Sequence, residues 1–112
     1  MMLLEKPIDR IQLKRIAETS FGNLVKAVVD IEKELIVIDA NLHADEEAFL
    51  LQKGSKQTDL WGINLYPDLE DEDFVEFDSM INLRPSQGNS TRGVDDLDLQ
   101  RCIRDIVSRW IL

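Results

Sequence analysis

Two spacings of apolar residues run along the chain, and they divide it into elements. From Leu24 to Ile31, Val25, Ala27, Val29 and Ile31 fall on one side of an extended segment, with Lys26, Val28 and Asp30 on the other. This alternation predicts a strand. Leu35 to Asp39 is apolar on both sides, which predicts a second, more central strand after the charged turn Glu32-Lys33-Glu34. The two pair most simply as a hairpin, although the turn lacks the favoured Asn-Gly chemistry. Leu60 to Tyr66 reads as a third strand, with Trp61, Ile63 and Leu65 opposing Gly62, Asn64 and Tyr66. Phe74 to Leu83 reads as a fourth, with Val75, Phe77, Ile81 and Leu83 buried. Glu76, Asp78, Met80, Asn82 and Arg84 lie on its other side.

Helical spacing governs the two ends. Asp9 and Gln12 form a capping box, Ile8 and Leu13 a hydrophobic staple, and Leu13, Ile16 and Ala17 one face of a helix that Gly22 ends. Leu99, Ile103, Ile106, Val107 and Trp110 form the cleanest amphipathic stripe in the chain, behind a cap at Asp95 or Asp96. Between Ala40 and Lys53, the segment Asp45 to Leu51 has good helix formers with acids early, and Gly54 would stop it. A short helix is expected there, with an extended segment as the rival. The order is then α-β-β-(α)-β-β-α. Short connections between consecutive strands imply a two-layer α+β domain over residues 1–112, with an antiparallel sheet of about four strands. The terminal helices pack on one face, which leaves the other to water, a partner or a ligand.

Charge narrows the partners. The 112 residues hold 22 acids against 13 bases, a net charge of −9. A polyanionic nucleic acid would be repelled, and so would an anionic membrane surface; a basic protein is admitted. From Asp68 to Asp78, seven of eleven residues are acidic and none is basic, so that stretch is a solvated tip. No apolar run approaches the roughly 18 residues of a membrane helix, and the apolar start is too short for a signal peptide. The cytoplasm is the expected location. The single cysteine, Cys102, excludes an internal disulfide and is expected to be buried and structural at the edge of the last helix's stripe.

Three groups of residues carry candidate chemistry. His43 stands beside Asp45 and Glu47, and a helix would bring His43 and Glu47 to one face. That set suits a small hydrolase with Arg84 as an anion clamp. It does not suit a catalytic zinc, which commonly takes three ligands with more than one histidine, so no metal or cofactor is expected. The loop from Arg84 to Gly93 is locally cationic and rich in donors; Arg84, Ser86, Gln87 and Asn89 can hold a small anion. Asn64, Tyr66, Asn82 and Arg84 share one side of the third and fourth strands and can line a patch, with Gly62 allowing a close approach. Trp61 and Trp110 belong to the core, but the bulky end Trp110-Ile111-Leu112 would mark a homodimer interface where it is uncovered.

The segments Val25-Lys26-Ala27-Val28-Val29-Asp30, Leu42-His43-Ala44-Asp45, Asp59 to Pro67 (DLWGINLYP) and Ile81 to Asn89 (INLRPSQGN) resemble a family of short prokaryotic proteins described as a domain of unknown function. The resemblance covers nearly the whole chain and implies a small, stand-alone prokaryotic protein. It brings no catalytic or binding residue with it. Three functions therefore stand side by side. The leading one is a non-catalytic binding module, with a small anionic ligand at the Arg84–Gly93 loop. The others are a small hydrolase built on His43 and nearby carboxylates, and an acidic adaptor for a basic protein.

Overall fold

In the computed structural model, which describes residues 1–112, the hairpin of β2 (Val25–Asp30) and β3 (Leu35–Ile38) lies at the centre. Ala27 pairs with Ile38 and Asp30 with Leu35. The turn between them closes without Asn-Gly because Asp30 organises it. One carboxylate oxygen accepts from the backbone N–H groups of Glu32 and Lys33, both at 2.9 Å, while Glu34 takes the left-handed conformation. The other oxygen accepts from the Ser55 hydroxyl at 2.6 Å, so this fully buried carboxylate is hydrogen-bonded on both sides.

β4 (Leu60–Leu65) pairs antiparallel with β2, Val28 facing Gly62 and Lys26 facing Asn64. Two short strands complete the sheet. β1 (Met2–Leu3), which alternation cannot reveal in so few residues, pairs with β3; β5 (Val75–Glu76) pairs with β4. The five-stranded order is β1-β3-β2-β4-β5, all neighbours antiparallel. The α+β class and the antiparallel sheet are as the alternation indicates.

α1 (Arg10–Glu18) starts at the capping box of Asp9 and Gln12, with both reciprocal bonds present. It packs with α3 (Leu97–Trp110) on one face of the sheet. Leu13, Ala17, Ile103, Ile106 and Val107 meet Val25, Ala27, Val29, Ile36, Ile38 and Trp61 in the main core. The opposite face is not left open. α2 (His43–Gln52) covers it and adds a layer, burying Leu50 against Val28, Val37 and Leu60. Cys102 faces solvent, contrary to the expectation of a structural cysteine. The stripe of α3 is carried by Ile103, Ile106 and Val107, and the helical turn points the residue before Ile103 away from it.

The expected fourth strand shortens to two residues, Val75 and Glu76. Beyond Asn64, the outer edge of β4 is already occupied. The side chain of Asn82 acts as a substitute strand: its Oδ1 accepts from the Gly62 N–H at 2.8 Å, and its Nδ2 donates to the Gly62 carbonyl at 2.9 Å. The backbone from Ser79 turns through a short 3-10 segment, Met80–Asn82. Leu83 consequently faces solvent, and Ile81 joins the smaller cluster under α2. Gly62 makes the approach possible, since a Cβ there would lie 2.6 Å from Ser79 Cβ and Oγ.

Replacing Asn82 with alanine strips partners from the buried N–H and C=O of Gly62, while the Arg92 carbonyl that Nδ2 also reaches at 3.0 Å keeps its bond from the Ser79 N–H. Each buried orphan costs about 1–3 kcal/mol, so with two of them Asn82→Ala is expected to lose about 2 kcal/mol or more in urea unfolding. A loss under about 1 kcal/mol would show that water replaces the amide.

Candidate functional site

The patch expected from Asn64, Tyr66, Asn82 and Arg84 divides into two constellations. Asn82 and Arg84 belong to the clamp on the edge of β4. Arg84 stacks its guanidinium 4.1 Å from the Trp61 ring centroid, donates to the Leu60 carbonyl at 2.7 Å and bonds the Gln57 carbonyl. Gln87 donates to the Thr58 carbonyl at 2.8 Å. Asn89 is buried; its amide donates to the carbonyls of Asn82 and Gly93 and accepts from the Asp95 N–H. Of the loop residues expected to face a ligand, Ser86 alone is exposed with no hydrogen bond within the protein. Burial lowers the Arg84 pKa and the charge of Glu47 opposes that shift. Arg84 Nε and Glu47 Oε2 are each buried without a hydrogen bond.

The other constellation gathers at the start of α2. His43 is buried, and its Nε2 lies 2.8 Å from the Ile63 carbonyl oxygen. A carbonyl only accepts, so Nε2 carries the proton and Nδ1 keeps its lone pair in the neutral ring. Burial, aided by the Lys26 charge, pulls the His43 pKa below its ordinary value, while the Ile63 bond, Asp78 and Asn64 pull the other way. The imidazole is therefore neutral at physiological pH. Next to it, Asn64 spends its Nδ2 on Glu76 Oε1 at 2.8 Å and leaves Oδ1 buried without a partner. Glu76 Oε1 also accepts from the Tyr66 hydroxyl at 3.0 Å. Burial, and then this bond to Glu76, raises the Tyr66 pKa.

A cleft of about 170 Å³ opens over His43, lined by Leu42, Ser79, Met80, Ile81 and Arg92. Arg92 is held by Asp78 at 2.7 Å. Leu42 and Met80 stand at its mouth, 57% and 62% exposed. The structure does not bring the three catalytic candidates together. Asp45 lines a different cleft, beside Asp39 and Gln52. Glu47 neighbours Arg84 electrostatically. The carboxylate that acts on His43 is Asp78, from a distant part of the chain.

Sequence reasoning missed one further buried group, Glu46. His43, Glu46 and Leu50 form the buried stripe of α2. Glu46 is wholly buried; Oε2 accepts a 3.3 Å bond from the Ala40 N–H and Oε1 has no partner. Burial pushes its pKa up to about 9, against the pull of the Ala40 bond, Lys26 and the N-terminal amine. The folded chain thus keeps a proton that the unfolded chain releases near pH 4.5. The contribution to stability is fully present below that lower value and declines as pH rises to about 9. Glu46→Gln is expected to match the wild type near pH 4.5 and to exceed it by on the order of a few kcal/mol near pH 9. Urea unfolding across that range checks this; a difference that stays flat with pH would contradict it.

No helix is long and apolar enough to cross a membrane. No curated protein and no solved structure matches the chain. A family model does match it over residues 2–110, through the sheet, all three helices and the His43 cleft alike. The chain therefore belongs to DUF5674, a family of proteins of unknown function.

Proposed function

We propose that this protein is a non-catalytic binding module that receives a basic, apolar-flanked segment of a partner protein at the His43 end of α2. One observation carries the reading: the acceptor nitrogen of the neutral His43 ring has no partner in the protein, and the ring lines a cleft rimmed by exposed apolar side chains. His43 Nδ1 accepts, Leu42 and Met80 flank the opening, and Asn64 stands behind the ring with its Oδ1 buried. A lysine or arginine side chain supplies the donor that His43 Nδ1 lacks, and apolar neighbours cover Leu42 and Met80. Glu76 and Asp78 lie beside the same groups, and the net charge of −9 favours encounter with a basic surface.

The Arg84–Gly93 loop supports this reading as a strut. Its amide and guanidinium donors hold backbone carbonyls, which fixes the segment that carries Ser79 and Met80 into the cleft. A small anion at Arg84 would have to compete with those bonds. Self-association through the C-terminal end gains less support. The Trp110 indole N–H donates to the Glu34 carbonyl at 2.9 Å, and Ile111 is buried beside Ile8.

Selection of the wild-type protein against a random peptide display library is expected to enrich sequences with arginine or lysine next to leucine, isoleucine or phenylalanine. The doubly substituted Leu42→Ser, Met80→Ser protein is expected to bind the selected peptides about tenfold more weakly, by about 1.4 kcal/mol. Raising salt is expected to weaken binding further, because exposed charges are screened within about 8 Å at physiological ionic strength. Enrichment of acidic peptides, or affinity indifferent to the two substitutions, would overturn the reading.

A further inference from the structure

On the sheet face opposite α2, a cleft of about 320 Å³ opens between the first turn of α1, the end of α3 and the segment 71–75. Two guanidinium groups line it, from Arg10 and Arg104. Each is half-buried and lies on an aromatic ring: Arg10 is 3.7 Å from the centroid of Phe74, and Arg104 is 5.0 Å from that of Phe77. Each also donates to a backbone carbonyl. Arg10 reaches Leu69 at 2.9 Å, and Arg104 reaches Glu72 at 3.3 Å. Neither is paired with a carboxylate, whereas Lys14, Arg92, Arg101 and Arg109 are. A guanidinium carries five N–H donors, so most of the capacity of both groups is unspent. Stacking holds each plane in place and lowers the entropy lost when it grips a ligand.

The rest of the lining limits what fits. Asp71 and Glu72 stand at the same cleft with exposed, unpaired carboxylates. The floor is apolar, made by buried Val75, Val107 and Ile111. A bare inorganic anion would leave the floor unused and face the two acids. An aliphatic carboxylate would use the floor but still meet those acids. A zwitterion with an apolar substituent answers all three parts of the lining at once.

We propose that this cleft binds a free α-amino acid with an apolar side chain. Its carboxylate lies on Arg10 and Arg104, its ammonium faces Asp71 and Glu72, and its side chain covers Val75 and Val107. The site lies on the opposite face of the sheet from the His43 cleft and does not depend on what that cleft binds.

The test is an NMR titration that follows the arginine Nε–H signals and the valine methyls. The probes are L-leucine, 4-methylpentanoate, which lacks the ammonium, and leucinamide, which lacks the carboxylate. Leucine is expected to give saturable shifts at Arg10, Arg104, Val75 and Val107, and each truncated probe to bind about tenfold more weakly or worse. Arg104→Met is expected to lose about tenfold in leucine affinity while remaining folded; Arg10→Gln provides the same comparison should Arg104→Met fold poorly. Asp71→Asn is expected to weaken leucine and leave 4-methylpentanoate unaffected. The proposal is overturned by leucine giving no saturable shift, by equal affinity for leucine and 4-methylpentanoate, or by arginine variants that bind as the wild type does.

Discussion

The outer edge of β4 sets the terms for much of this structure. β5 covers it over two residues, at Asn64 and Leu65. The remaining N–H and C=O groups would otherwise be an open strand edge next to a buried core, which is costly and prone to mispairing. Asn82 and Arg84 close that edge with side chains in place of backbone. An amide presents a donor and an acceptor at nearly the spacing of a peptide group, so one asparagine replaces one residue of a strand. The consequences spread outward. Ser79 must pass over Gly62 with no room for a Cβ, and its own N–H is bonded to the Arg92 carbonyl. Asn89 ties the returning loop to Asn82 and Gly93. Met80 and Arg92 reach the His43 cleft because this clamp holds them there.

A second constraint lies under α2. A helix usually buries an apolar stripe, but the stripe here is His43, Glu46 and Leu50, and only the leucine is apolar. The sheet answers with Lys26 and Asn64. Burying such groups costs free energy wherever a hydrogen bond is missing, and two are missing, at Glu46 Oε1 and Asn64 Oδ1. The large apolar core on the other face supplies the offset. The polar underside is thus kept at a cost to stability that an apolar stripe would not carry.

Much of the architecture was legible in spacing alone. Alternation marked β2, β3 and β4, and the capping box and stripe marked α1 and α3, because local pattern and tertiary burial agree there. α2 was legible as a helix, but its burial was not. Its acids imitate a solvated surface, and only the opposing Lys26 and Asn64, distant in sequence, reveal that it is covered. The fourth strand misled for a similar reason. Its alternation continues through Leu83, yet a competing side-chain amide had taken the edge it would have paired with. Arg84 and Asn89 carry the donors of an anion site and spend them on carbonyls of their own chain, a choice that composition cannot disclose. Cys102 was misplaced by a single helical step. The Arg10–Arg104 cleft was invisible because its two halves come from opposite ends of the chain.

The acidic stretch from Asp68 to Asp78 links these features and is not a free tail. Scaffold cations fasten it at intervals: Lys14 on Asp68, Arg10 on the Leu69 carbonyl, Arg104 on the Glu72 carbonyl and Arg92 on Asp78. Two of the four contacts go to backbone, so they fix the chain without neutralising carboxylates. The segment is thereby ordered with Asp71 and Glu72 at one cleft, while Glu76 and Asp78 stand beside the groups of the other. Charges held at fixed positions act on a ligand more strongly than the same charges on a mobile loop, because their ordering entropy is already spent. A single segment therefore imposes negative charge on both faces of the sheet. On either face this charge favours a ligand that presents a cation toward it over a simple anion.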